Sequence, residues 1–494
     1  MTARTGTGIA FILALCGWLL AGQAAASSIP LHTASCVMGK THVRAVCGSL
    51  RVFEDRQSRT GRTIDVHFVV LKATRATNQA IFWNPGGPGA GATQFAPLIA
   101  DGEGETYLKR LRDRYDEVFV DNRGTGLSHE LRCKLFSPSD PQTYFLQDWP
   151  DAQLRACRSA LATIADLSAY TTDNSADDLD DIRAALGYPK IVLSGISGGT
   201  SFFLDYARRH PAHVESLLLQ GVDPPHFLII PLQDARGADL AISHLESDCE
   251  RDTRCHANFP EFRAHFGAVA QRFAHGPVTI QVQSDAGRLR TVKLSKEVFA
   301  DRLRQSMYSN GPAAYVPFAV ERAYVGDYVP LGRIIESAAQ GLDQIIATGV
   351  NLSVTCSEDV PFITESDVAK TSDGTFMGST RVRAQQHACG IWNVAPMPAD
   401  FQNPVRTTAP VFMISGADDP ATPPEYSAKA LAYFPNGKRL LIANASHDTE
   451  FPCAMALAEK FIRDRSVTDL KTESCSGVNH RPPFATSMAG FVPD

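Results

Sequence analysis

The chain has no G-x-x-x-x-G-K-[ST] loop and no H-E-x-x-H motif. The first absence excludes the usual nucleotide-phosphate cradle, and the second a common zinc-peptidase helix. There is no long run of one charge sign, and the formal net charge is −6. That balance offers nothing to nucleic acid or to an anionic membrane surface. Beyond the first residues no apolar run is long enough to span a bilayer, so no stable membrane insertion is expected. Internal repeats and long low-complexity tracts are also missing, which argues against a repeat architecture.

What remains is an ordinary globular composition, 44% hydrophobic and 20% charged over 494 residues. This length supports two or three domains, or one α/β core carrying an insertion. Arg4, the apolar stretch from Ile9 to Ala21 and the small residues Ala24 to Ala26 have the layout of a secretory signal. Cleavage after Ala26 is expected, with a secreted or periplasmic mature chain. Ten cysteines then remain: Cys36, Cys47, Cys133, Cys157, Cys249, Cys255, Cys356, Cys389, Cys453 and Cys475. An even number in an exported chain points to disulfides, and neighbouring pairs along the chain are the simplest pairing. Cys249, Cys255 and His256 lie close together, but their spacing is not that of a zinc ribbon or finger.

From Leu50 to Val222 strand and helix patterns alternate. "QAIFWNPGG" reads as a buried strand broken at Pro85. "SADDLDDIRAALG" reads as a helix, with Ser175 as N-cap and Gly187 as its stop. "KIVLSG" is a strand and "GTSFFLDYARRH" a helix. This order predicts an α/β fold with a mostly parallel sheet and helices on both faces. Between Pro224 and Asn403 the pattern turns mainly helical, with one possible hairpin at "PVTIQVQSDAGRLRTVKLS". Strands return in "APVFMISGADD" and "KRLLIANASHD". The expected division is a signal at 1–26, core at 27–222, an inserted helical cap at 223–403, and the rest of the core at 404–494.

Three constellations carry chemistry. Gly195-Ile196-Ser197-Gly198-Gly199 is a G-x-S-x-G motif between a strand and a helix. That context holds a serine in a strained turn with its hydroxyl exposed above the sheet. Serine needs a base. His447 follows a late strand, and Asp418 or Asp419 follows the strand before it, in the order serine, acid, histidine. Acyl transfer also needs donors for an oxyanion. The N–H of Gly198 and that of Gly87, in "NPGGPGAGAT", are the candidates. Gly87, Gly89 and Ala92 also fit the G-x-G-x-x-A dinucleotide fingerprint, but Pro88 within it and two strands before it argue against that use.

"NPGGPGAG", "VDNRGTGLS", "GISGGT", "DDPATPP" and "ASHDTE", in this order, resemble the α/β-hydrolase serine peptidases of the proline iminopeptidase and tripeptidyl aminopeptidase group. The resemblance covers roughly Leu50 to Cys475, including the C-terminal His447, Cys453 and Cys475. It implies an α/β-hydrolase fold, with Ser197 as nucleophile, His447 as base and Asp419, which precedes "P-x-T-P", as acid. It implies that Asp121 and Arg123 shape a turn. It also implies peptide substrates with a free N-terminus, whose ammonium would meet Glu358 or Asp359 in "VTCSEDVPF". The family loop usually begins with histidine, whereas Asn84-Pro85 stand here. No cofactor or metal is expected. An esterase on the same groups, or a non-catalytic binding protein, would share many of these features.

Overall fold

The computed structural model describes residues 31–103, 106–137, 139–283, 288–477 and 481–491, so the signal expected at 1–26 lies outside the described residues. The strands are β1 (Leu31–Met38), β2 (Val43–Phe53), β3 (Thr63–Leu71), β4 (Ala80–Asn84), β5 (Asp116–Val120), β6 (Ile191–Ile196), β7 (Val214–Gln220), β8 (Val278–Gln283), β9 (Leu289–Leu294), β10 (Val411–Gly416) and β11 (Gly437–Ile442). Among the described residues one sheet has the order β1-β2-β3-β5-β4-β6-β7-β10-β11. Pairing is antiparallel from β1 to β5 and parallel from β5 to β11. The sheet begins earlier than the sequence pattern suggests. β1 carries mostly exposed residues, so burial leaves little imprint on it, and the Cys36–Cys47 disulfide clips it to β2.

The parallel strands read as unbroken apolar runs because both faces are covered. In β4, Ala80 and Phe82 pack into one core with Leu179, Ile182 and Phe203, which come from helices Thr172–Ala185 and Gly198–Arg209. Ile81 and Trp83 face the opposite core with Ile99, Leu108 and Phe461. Full burial of one such side chain contributes about 1.5–3 kcal/mol.

The helix expected to be capped by Ser175 starts four residues earlier. Thr171 is its N-cap and accepts from the N–H of Asn174, whereas Ser175 sits inside the first turn and donates to the Thr171 carbonyl. Threonine ranks only a little below serine as an N-cap, and the acids that follow suit either register.

Between β7 and β10 the chain leaves the sheet. It forms helices such as Asp234–Arg251, Lys296–Ser306, Val329–Ile345, Thr348–Glu358 and Thr380–Trp392, together with the β8–β9 hairpin. This insertion has its own core, built around Phe266, Phe299, Leu303, Leu331 and Ile335. The cysteines pair as neighbours: Cys36–Cys47, Cys133–Cys157, Cys249–Cys255, Cys356–Cys389 and Cys453–Cys475. Cys249 and Cys255 are therefore committed to each other and cannot act as thiolate ligands beside His256. Among the described residues no helix is long and apolar enough to cross a membrane.

The order β5-β4-β6 places a topological switch at β4, since the chain goes to one side for β5 and to the other for β6. The loops that follow β4 and β6 face each other there, which is where open α/β sheets bind ligands.

Candidate active site

Ser197 occupies the turn between β6 and helix Gly198–Arg209 with φ 55° and ψ −131°, a costly conformation for a residue bearing a Cβ. Neighbouring groups hold it there. Its N–H donates to the Gln220 carbonyl at 2.9 Å, and its carbonyl accepts from the Thr200 N–H (2.8 Å) and Thr200 Oγ1 (2.7 Å). The turn also needs bare backbone. A Cβ at Gly195 would lie 2.6 Å from the Gly199 carbonyl oxygen, and one at Gly199 would lie 2.6 Å from that of Asn84. Gly198 and Gly87 approach so closely that a Cβ at Gly198 would sit 2.9 Å from the Gly87 carbonyl. Asn84, which with Pro85 stands in front of the loop glycines, accepts the Gly86 N–H on Oδ1 at 2.9 Å and so orders the loop.

Ser197, Gly87 and His447 line one cavity of about 330 Å³. Insertion residues, among them Arg304, Tyr308 and Ile346, form its other wall. His447 Nδ1 lies 2.8 Å from Asp419 Oδ2. With the proton on Nδ1 to make that bond, Nε2 is left to accept. Asp419 is fully buried. Its Oδ1 accepts the N–H groups of Ala421 (2.8 Å) and Thr422 (2.9 Å), and its Oδ2 also accepts Thr422 Oγ1 at 2.6 Å. Burial alone would lower the His447 pKa, but the charge and hydrogen bond of Asp419 outweigh it and leave it raised. Asp418 points elsewhere, to His244 and Arg481. The two acids, alternatives by motif order between which the resemblance chose Asp419, thus occupy different surroundings.

Sequence reasoning missed a role for Thr422, although it is the threonine of the "P-x-T-P" segment. Its hydroxyl bonds Asp419 and lies 3.2 Å from His447 Nδ1. Thr422→Val is expected to lower kcat about tenfold, whereas Thr422→Ser keeps most of it. Steady-state kinetics of the two variants would check this.

Asp121 and Arg123 lie behind the loops. Asp121 accepts the Thr93 N–H and Oγ1 and the Leu127 N–H at 2.7–2.9 Å, which ties the loop after β4 to the turn after β5. Arg123 is buried and grips Asp178 with two bonds at 2.8 and 2.9 Å.

A second cavity, of about 50 Å³, adjoins Gly86 and Gly198. Asp223, Glu358 and Asp359 line it together. Glu358 gives both oxygens to Thr172, accepting its N–H at 2.7 Å and its Oγ1 at 2.6 Å. The side chains of Asp223 and Asp359 have no hydrogen-bond or ion-pair partner among the described residues. Burial pushes the Glu358 carboxyl up to about 8 and Asp223 up to about 7. Burial, with Asp223 and Glu358 nearby, raises Asp359 well above the carboxylate range. Sequence reasoning missed Asp223; the available signal was an acid just past a buried strand, in "QGVDPP".

The α/β hydrolase fold family model matches residues 80–241, and the TAP-like protein model matches residues 374–475. The chain is 24% identical over 424 residues to serine protease Hip1 of Mycobacterium tuberculosis, covering 77% of each chain. It is 32% identical over 197 residues to a tripeptidyl aminopeptidase of Streptomyces lividans, covering 36% of this chain and 35% of that one. It is also 27% identical over 228 residues to carboxylesterase B of Mycobacterium tuberculosis, covering 43% of each. The sheet order, the serine turn after β6 and these two matched regions agree: the chain has the fold of an α/β-hydrolase serine hydrolase and carries a TAP-like region at 374–475.

Proposed function

We propose that this chain is a secreted serine aminopeptidase, with the core interrupted by a cap over 223–403. Ser197 attacks the scissile carbonyl while His447 Nε2 takes its proton, and Asp419 fixes the imidazole and stabilises the imidazolium. The Gly87 and Gly198 N–H groups donate hydrogen bonds to the carbonyl oxygen as it gains negative charge. His447 returns the proton to the leaving amine, and water then cleaves the acyl-enzyme by the same steps in reverse order.

The observation that carries specificity for a free N-terminus is the acid-lined cavity beside Gly86 and Gly198. Three carboxyls crowded in one cavity, with Asp223 and Glu358 buried and Asp359 partly so, cannot all ionise without a cation, and a substrate ammonium supplies one. Glu358 is engaged by Thr172, so Asp359 and Asp223 are the better placed to receive it. Free-amino peptide anilides should therefore turn over faster than N-acetylated ones and faster than simple esters. Asp359→Asn or Asp223→Asn should reduce the free-amino to blocked ratio about 100-fold, since an ammonium would then lose a buried charged partner. A wild-type enzyme that prefers blocked peptides or esters would make it an esterase-type acyl hydrolase instead.

A further inference from the structure

The acid and the base stand on two loops, 417–423 after β10 and 443–451 after β11. Arg481, Asp418 and Asp248 hold both loops without lining the cavity. Asp418, next to the acid, accepts from Arg481 Nη2 on Oδ2 at 2.5 Å, and its Oδ1 lies 2.7 Å from His244 Nδ1. Asp248 is one helical turn beyond His244, on the same face of helix Asp234–Arg251. Its Oδ2 accepts Arg481 Nε at 2.6 Å and Asn444 Nδ2 at 2.8 Å. A single guanidinium from the C-terminal segment therefore joins the acid loop, the base loop and a helix of the insertion.

The surroundings make this junction stiff. The side chains of Arg481, Asp418 and Asp248 are 6%, 7% and 9% exposed. Solvent screening that makes surface ion pairs weak is therefore reduced here. Asn444 has φ 53° and also accepts Asn310 Nδ2 on its carbonyl at 2.7 Å. Ser446 Oγ donates to the Met307 carbonyl, and the Asp448 N–H donates to the Tyr308 carbonyl at 3.1 Å. The Tyr308 ring lies 5.2 Å from that of His447. From the sheet side, Gly416 leaves no room for a Cβ against the Ser446 carbonyl, which would be 1.9 Å away. The base loop is thus gripped from both sides, and Arg481 also ties it to the acid loop.

We propose that Arg481 is a positioning residue: through Asp418 and Asp248 it fixes the two loops that bring Asp419 and His447 into register with Ser197. The inference rests on the triad assignment above. Arg481 acts on geometry alone, and geometry matters because a misplacement of about 1 Å at a reacting group can cost about 100-fold in rate.

Arg481→Ala should lower kcat by about 10- to 100-fold with KM within about twofold of wild type. The loss should be alike on a free-amino anilide and on p-nitrophenyl acetate, because both need the base. Added guanidinium chloride at millimolar concentration should restore part of kcat, and Arg481→Lys should retain more than alanine does. A general loosening of the fold would show neither rescue. Asn444→Gly provides the second variant, since glycine accepts the positive φ and only the bond to Asp248 is lost; kcat should fall severalfold with KM held. The proposal is overturned if both variants keep wild-type kcat, if the loss lies in KM alone, or if guanidinium restores nothing. His447→Ala and Asp419→Asn serve as controls. Should they stay active, the triad assignment fails; should they be inactive while Arg481→Ala is fully active, the positioning role alone fails.

Discussion

Ser197→Ala is expected to reduce hydrolysis of every substrate by roughly 10⁶-fold while the protein stays folded. The size follows from the role proposed for the hydroxyl, which supplies the bond to the acyl group and has no substitute nearby. The fold should survive because the strained turn is held by main-chain bonds to Gln220 and Thr200 and by the bare backbone of Gly195 and Gly199, all independent of Oγ. His447→Ala should be nearly as severe, and the double variant no worse than either single one, since the two groups act in one step. Turnover of an activated ester, together with labelling by a fluorophosphonate, measures this directly. Normal labelling of Ser197→Ala would place the nucleophile elsewhere.

The second large effect separates two adjacent acids. Asp419→Asn should lower kcat about 10⁴-fold, because an amide N–H facing His447 Nδ1 favours the tautomer whose Nε2 already holds a proton. The Ala421 and Thr422 N–H groups need an acceptor, so they would keep the asparagine oxygen and turn its NH2 toward His447. Asp418→Asn keeps an oxygen for His244 or Arg481 and never meets the imidazole, so its kcat should stay within about tenfold of wild type. Equal losses in the two variants would remove the distinction drawn here.

Much of this architecture is legible in the linear chain. "KIVLSG" and "VFMISG" are continuous apolar runs because parallel strands are buried on both faces, so their identity as strands survives without context. The glycines around Ser197 are equally plain, since each stands where a Cβ would strike backbone. Less was legible where burial does not pattern the residues. β1 is largely exposed and left no periodic signal, and the start of helix Thr172–Ala185 was misplaced because Thr171 and Ser175 are both plausible caps.

The site divides along the same line. Its local parts, the serine turn and the loop glycines, depend on residues adjacent in sequence, and the sequence alone determined them. Motif order left Asp418 and Asp419 open and the family resemblance pointed to Asp419; the contact with His447 itself depends on how β10 and β11 pair and on which side chain helix Asp234–Arg251 captures, which only the tertiary structure decided. The same holds for Glu358, engaged by a helix start 186 residues away, and for Asp223, whose closeness to Asp359 joins a strand end to the insertion. Contacts that distant in the chain carry no periodicity or spacing to read. They exist only once both cores have packed and the loops between them have been fixed in place.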